Sequence, residues 1–416
     1  KNSGLIIDCD EKKNALRNLF KNSKVAFIYG AAGTGKSTMI NYISSLFKDK
    51  QKIFLANTNP AVENLRRKVT AEHAEFVTIT KFLSKDVSND CDILCLDECS
   101  TISNRDMVRV LQRAQCKLLV LVGDIYQIES ILFGNWFNIA YKVMPKDSVA
   151  ELTRPHRTTV QGLIEVWNKV REITEDRLEF ITRNGLSSTL DESIFSRTEE
   201  DEIVLCLNYD GIYGINNINK FLQSNNVNPS INWGVLSYKV GDPVLFNESN
   251  RFAPLVYNNL KGKILQIEEE EDCIYFTIEV YTVLNELDVI GFDLELKESV
   301  TDETSVIRFK VGRGGDGNDD NDNVENVVPF QVAYAISIHK AQGLEYESVK
   351  VVITSEIEEM VSHNIFYTAI TRAKSKLKIY WSPETEKRIL ENMKVQFNDK
   401  DYQLFKAKYK EALLKS

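Results

Sequence analysis

The sequence predicts an α/β protein built on two parallel sheets, with a small antiparallel β-rich region inserted into the second. Three observations lead there. Short apolar runs alternate with amphipathic helical stretches through the first third of the chain, and the same alternation returns near its end. Between them, residues 234–311 change to closely spaced β-type runs separated by turn residues. At 416 residues the chain is also long for a single core, so two or more domains are expected.

In chain order, "VAFIY" (25–29), "KIFLA" (52–56), "DILCLD" (92–97) and "KLLVLVGD" (117–124) read as buried strands, with "KSTMINYISSLF" and "NRDMVRVLQRA" as amphipathic helices between them. From Thr153 to Ser196 the pattern turns helical, and "DEIVLCLN" (201–208) opens a second strand-and-helix region. "WGVLSY", "DPVLF", "KGKILQI" and "CIYFTIEVYTVL" read as the strands of a small antiparallel barrel. The stretch "VGRGGDGNDDNDNVENV" (311–327) has no periodicity and reads as a loop. Parallel-type strands return at 332–338, 349–353 and 376–380, and a charged helical tail ends the chain.

Composition narrows the class. No apolar stretch approaches the roughly 20 residues that span a bilayer, and the N-terminus lacks a secretory apolar segment, so a cytoplasmic location without membrane association is expected. The start at Lys1 raises the expectation of a further N-terminal domain or a partner protein outside these residues. Seven cysteines without C-x-x-C pairs fit reduced thiols. Cys91, Cys95 and Cys99 recur every four residues, and Cys95 lies inside an apolar strand, so they read as small buried residues before metal ligands. A net charge of -9 excludes a protein coated in positive charge, yet a local basic groove suffices to hold a phosphate backbone.

The most specific motif is "GAAGTGKST", Gly30 to Thr38, between a strand and a helix. Backbone N–H groups of Gly30, Gly33, Thr34, Gly35 and the following helix start can cradle phosphates; Lys36 can reach the β- and γ-phosphates, and the Ser37 hydroxyl can ligate Mg²⁺ beside Thr38. "ILCLDECST" ends an apolar strand in Asp97 and Glu98: one carboxylate can hold Mg²⁺ and the next can orient an attacking water. A single acidic residue there would read as a solvated turn; two adjacent ones after a phosphate loop favour hydrolysis. "LVGDIYQIE" adds Asp124 and Gln127, whose amide can sense a γ-phosphate. Arg154 and Arg157 in "LTRPHRTT" and Arg372 in "FYTAITRAKSKL" can stabilise charge on a transferring phosphoryl group, although a lone arginine more often forms a surface ion pair.

Taken in order, "GAAGTGKST", "LANTNPAVENLRRK", "TITKFL", "ILCLDECS", "LVGDIYQ", "LTRPHRT", "SIHKAQGLE" and "YTAITRAK" resemble the successive motifs of the superfamily 1 helicases, most closely the RecD-like and Dda-like branch, over nearly the whole chain. The resemblance implies two RecA-like domains, 1–150 and 151–233 with 328–416, and an inserted SH3-like domain at 234–327. It implies an ATP site between the two, with Lys36, Ser37, Asp97, Glu98 and Gln127 from the first, Arg372 from the second, Arg157 approaching the γ-phosphate, and Gly343 and Glu345 along the nucleotide. It further implies that Asn59, Pro60, Thr78 and Thr80 line the path of a single strand, that Ser337 and His339 touch its backbone, and that ATP and Mg²⁺ drive 5′→3′ movement on single-stranded nucleic acid, DNA before RNA. Trp136 and Phe137 are placed to stack bases or to fill the core.

Three departures stand out. Lys12 occupies the position where the family usually carries a Gln that reads adenine. Thr80 replaces the usual His of the third motif. Only Ser84 to Cys91 separates that motif from the Asp97 strand, where relatives insert a strand-splitting hairpin. A different class remains beside the motor, a nucleotide-gated signalling or interaction module within a larger multidomain protein, such as a defence system. A kinase or metabolic phosphate-loop enzyme has no use for "HKAQG" and "TAITRAK" in a second α/β domain.

Overall fold

The computed structural model describes residues 10–19, 24–84, 89–128, 134–247, 251–253, 255–299, 301–313, 326–394 and 399–415. The centre of the expected loop at 311–327 and residues 85–88 of the short connection before the Asp97 strand lie outside the described residues. The chain packs as two compact units, one of Lys1–Asn184, Glu359–Ser375 and Lys387–Ser416, the other of Gly185–Glu358 and Lys376–Glu386.

In the first unit, six parallel strands run in the order Ala74–Thr78, Lys52–Ala56, Asp90–Leu96, Gln115–Gly123, Val25–Gly30, Val149–Leu152. Successive residues of a strand point to opposite faces, so adjacent apolar side chains feed two different cores. Ile28, Phe54 and Ile93 join Met39, Ile43 and Leu65 of the helices Lys36–Leu46 and Asn59–Lys68 on one face. Phe27, Leu55 and Leu94 join Met107, Val110 and Phe137 of the helices Asn104–Arg113 and Trp136–Val143 on the other. A sheet covered on both faces reads as near-continuous apolar strands, which is the pattern seen in "VAFIY" and "KIFLA".

The second unit holds a five-stranded sheet in the order Ala335–Ser337, Glu202–Cys206, Tyr346–Val352, Ala373–Tyr380, Ser187–Ser188, with parallel pairing wherever the register is defined. It also holds an antiparallel six-stranded sheet, Glu295–Lys297, Ser305–Gly312, Cys273–Val280, Lys261–Glu269, Pro243–Phe246 and Phe330–Val332, beside the hairpin Ser230–Trp233 with Leu236–Lys239. Its core is aromatic, with Phe276 edge-on to Phe330 at 4.9 Å between ring centres.

One expected strand divides in two. Residues 332–338 read as a single apolar run, but Phe330–Val332 pairs antiparallel with Pro243–Phe246, whereas Ala335–Ser337 pairs parallel with Glu202–Cys206. At the changeover Tyr334 is tied down: its hydroxyl donates to the fully buried Asp242 at 2.8 Å. Asp242 also accepts from Gln223, Asn226 and the Lys239 backbone, so both oxygens of this buried carboxylate are hydrogen-bonded.

Candidate nucleotide site

Three adjacent strands of the first unit deliver their C-terminal ends side by side. The strand Val25–Gly30 leads into the phosphate loop, Gln115–Gly123 into Asp124, and Asp90–Leu96 into Asp97 and Glu98. In parallel sheets this edge is where ligands bind.

The loop admits only its own residues. Gly33 and Gly35 take φ of +76° and +82°, a region that costs an L-residue roughly 1–2 kcal/mol. A Cβ on Gly33 would strike Arg157, and one on Gly35 would strike the Lys12 ammonium. Thr34, fully buried, donates its hydroxyl to the Ala31 carbonyl at 2.9 Å and braces the turn. Lys36 donates to the carbonyls of Gly30 and Ala31 at 2.8 and 2.9 Å. Burial holds its pKa below the usual lysine range, against the pull of Asp124 and Asp97. Ser37 and Thr38 lie in the first turn of the helix.

Asp97 accepts the Glu98 backbone N–H at 2.8 Å, and burial raises its pKa. Glu98 has φ of +51°, the left-handed region that a non-glycine residue enters only under constraint. Its carbonyl accepts from both the backbone and the hydroxyl of Thr101 at 2.9 Å, which holds that geometry. Burial first, and the Asp97 charge second, push Glu98 up to about 7, with Arg372 and Lys36 opposing. Burial also raises Asp124, whose Oδ1 accepts from Tyr126 at 3.0 Å while its buried Oδ2 has no hydrogen-bond partner.

Two of the three expected arginines stand at this cluster, and Arg154 is exposed. Arg372 is 2% exposed; its Nε donates to the Thr368 carbonyl at 2.9 Å and its Nη2 to the Thr371 hydroxyl at 3.2 Å. Arg157 packs on Gly33 and donates to the Thr371 carbonyl at 2.5 Å. The helix His363–Ile370 that leads to Arg372 is docked on the Asp124 turn: Asn364 donates to the Gln127 carbonyl at 3.0 Å, and the Ile128 N–H donates to the Thr368 hydroxyl at 3.3 Å. The arrangement supplies cations for phosphoryl oxygens, a carboxylate for a hydrated cation, and a second carboxylate that titrates near neutrality.

Lys36, Asp97, Glu98, Gln127, Arg157 and Arg372 thus stand in one compact unit, whereas Ser337, His339, Gly343 and Glu345 lie in the other. There Ser337 accepts the Lys340 N–H at 3.2 Å at the end of its strand, His339 is exposed, Gly343 has φ of +81°, and the Glu345 carbonyl accepts from Lys261 at 3.2 Å. In the first unit, Thr78 caps the helix Ile79–Leu83, Thr80 and Asn59 are exposed, and Pro60 follows Asn59 in the first turn of its helix.

Phe137 does not meet the expectation of base stacking: it is 1% exposed and stacked on Phe27 at 4.4 Å, inside the core. Trp136 is half-buried, with its indole N–H donating to the Ile102 carbonyl at 2.9 Å. Lys12, the departure from the family pattern, is 5% exposed and lies against Gly35 at the start of the phosphate-binding helix. One residue escaped the sequence reading. Tyr367, fully buried on the docked helix, faces this cluster; its sequence signal is a polar-tipped aromatic among small residues in "FYTAITR".

Comparison with known proteins agrees with this geometry. The AAA domain family matches residues 9–191, and the UvrD-like helicase C-terminal domain family matches residues 332–380. An uncharacterised protein of Methanocaldococcus jannaschii is 24% identical over 88% of this chain, which spans only 37% of that protein's length. The RecBCD enzyme subunit RecD of Buchnera aphidicola subsp. Schizaphis graminum is 23% identical, with 92% of this chain and 77% of the relative covered. Among solved structures, the Pif1 helicase from Bacteroides in complex with ADP-AlF3 and ssDNA shares the fold, with a TM-score of 0.53 at 17% identity over 90% of this chain and 92% of that one. The phosphate loop, the paired carboxylates and the distant arginine gathered at one cluster, together with the AAA-domain and UvrD-like helicase C-terminal matches and the RecD relatives, are consistent with the RecD-like superfamily 1 helicases that the motifs resemble.

Proposed function

We propose that this chain is an ATP-dependent DNA helicase motor that moves 5′→3′ along single strands. The observation that carries the reading is the gathering of Lys36, Asp97, Glu98, Asp124 and Arg372 around one phosphate loop, with Glu98 poised near neutrality. In this reading Lys36 binds the β- and γ-phosphates, Glu98 takes a proton from the attacking water, and Arg157 and Arg372 stabilise charge on the transferring group. Ser37 and Asp97 would hold Mg²⁺, which would supply charge neutralisation for the phosphate groups; the unpartnered oxygen of Asp124 fits a hydrated cation.

For the second unit we propose that Gly343 and Glu345 serve the nucleotide, and that Ser337 and His339 meet the nucleic-acid backbone, with Asn59, Pro60, Thr78, Thr80 and Trp136 along the strand's path in the first. We also propose two RecA-like domains, 1–150 and 151–233 with 328–416, each based on one parallel sheet, with residues 234–327 as an SH3-like insertion and the cytosol as the site of action. The test is ATP turnover against single- and double-stranded DNA and RNA. Strong stimulation by single-stranded DNA is expected; a flat response would favour a nucleotide-gated module instead. Polarity is read separately: streptavidin should be displaced from a 3′-biotinylated oligonucleotide, and displacement only from the 5′ end would reverse the assignment.

A further inference from the structure

Two buried groups of the nucleotide site are left unpaired: the Tyr367 hydroxyl hydrogen finds no acceptor, and Asp124 Oδ2 finds no donor. A buried polar atom left without a partner is costly and rare, so each instance calls for an explanation. Tyr367 is held firmly. It is fully buried, its ring meets Tyr126 edge-on at 6.1 Å and stacks beside His363 at 6.3 Å, and its helix is docked by Asn364 and Thr368 on the turn that follows Asp124. The Ala32 backbone N–H approaches the hydroxyl oxygen as a donor and the Asp124 carboxylate acts on it through its charge, while no acceptor takes the hydroxyl's own hydrogen. Ala32 belongs to the first part of the phosphate loop, where Lys36 reaches back to Gly30 and Ala31, and that is the γ-phosphate end of such a loop. A phenol beside this loop is a neutral donor that can give its hydrogen to a phosphate oxygen.

We propose that Tyr367 is a positioning residue that reads the γ-phosphate: its hydroxyl donates to a γ-phosphate oxygen in the ATP state and loses that partner in the ADP state. The proposal rests on the ATP-motor reading above. It gives the docked helix a contact that depends on which nucleotide is bound. That helix runs on through Arg372 into the strand Ala373–Tyr380, whose residues from Lys376 onward belong to the second unit, so the contact sits on the chain segment that joins the γ-phosphate to the other half of the motor.

The experiment uses the full chain and its Tyr367→Phe variant, which keeps the ring and removes only the hydroxyl. Dissociation constants for ADP and for the non-hydrolysable ATP analogue AMP-PNP are measured by competition against a fluorescent nucleotide, beside the thermal midpoint of the nucleotide-free protein. Affinity for AMP-PNP is expected to fall about tenfold to a hundredfold, as for a lost hydrogen bond to a charged group, while ADP affinity stays within about twofold. The midpoint should hold, because the deleted hydroxyl donates to no acceptor in the free protein. Equal loss of both affinities, or a lowered midpoint, would make Tyr367 a structural residue and overturn the proposal; so would unchanged AMP-PNP affinity. Failure of the wild-type chain to bind either nucleotide would count against the motor reading itself, a result distinct from these.

Discussion

At the scale of single residues, Glu98 carries the sharpest consequence. Its carboxyl stands at about 7 because it is buried beside Asp97, so it is largely protonated below neutrality and competent as a base only above it. Turnover should therefore rise with pH through about 7 and level off above, and Glu98→Gln should retain nucleotide binding while losing turnover and this pH limb. Lys36→Ala, by contrast, should abolish productive binding. Stability must move the opposite way to activity. Below about 4.5 the Glu98 carboxyl is protonated in both folded and unfolded chains, and above about 7 it is charged in both, so the cost of burying that charge grows across this window. Glu98→Gln should accordingly be more stable than wild type at pH 8, by up to about 3 kcal/mol, and the gain should vanish near pH 4. A rate that stays flat from pH 6 to 8, or near-wild-type turnover in Glu98→Gln, would remove Glu98 from the role of base.

At the scale of elements, the segment from His363 to Arg372 decides how much of the site a sequence could reveal. Its chemistry was readable through the resemblance of "YTAITRAK" to a helicase motif that carries an arginine for the transferring phosphoryl group. Its packing was not: the Thr371 carbonyl that receives Arg157 and the Thr368 hydroxyl that receives Ile128 are contacts between distant stretches, which no local pattern encodes. The strands divide along the same line. Lys52–Ala56 and Val25–Gly30 lie inside the sheet with both faces covered and read as apolar runs, whereas Ala74–Thr78 and Val149–Leu152 escaped notice because they are its two edges, short and half polar. The run 332–338 misled for another reason: hydrophobicity reports burial and does not say in which of two sheets a residue is buried. Arg372→Ala follows from this packing. Removing a buried cation beside raised carboxylates should cut kcat by about 10³ or more with little change in nucleotide affinity. A change confined to KM would make Arg372 a ground-state binder.

At the scale of the whole molecule, what separates a translocase from an unwinding enzyme is a wedge. Opening one base-pair step costs on the order of 1–2 kcal/mol of stacking, which hydrolysis can meet only if something parts the strands as the motor advances. The family pattern that the sequence resembles carries a hairpin between the motif that here reads "TITKFL" and the carboxylate strand. Here the chain leaves the helix Ile79–Leu83 and enters the strand Asp90–Leu96 within six residues, 84 to 89, too few for two paired strands and a turn. Efficient movement on single strands with poor unwinding is therefore expected of this chain alone. Both activities should be measured on one preparation, as single-strand-stimulated ATP turnover and as strand displacement on a tailed duplex. Turnover with little displacement on long duplexes is the expected pair. Efficient displacement would mean that another element parts the strands, and the hairpin Ser230–Lys239 would be the first to test: Val235 at its turn is fully exposed, and an apolar tip on a two-stranded arm is the shape such a wedge requires. Val235→Asp should then reduce displacement while leaving single-strand-stimulated turnover unchanged, because the tip lies outside the machinery that binds and cleaves ATP.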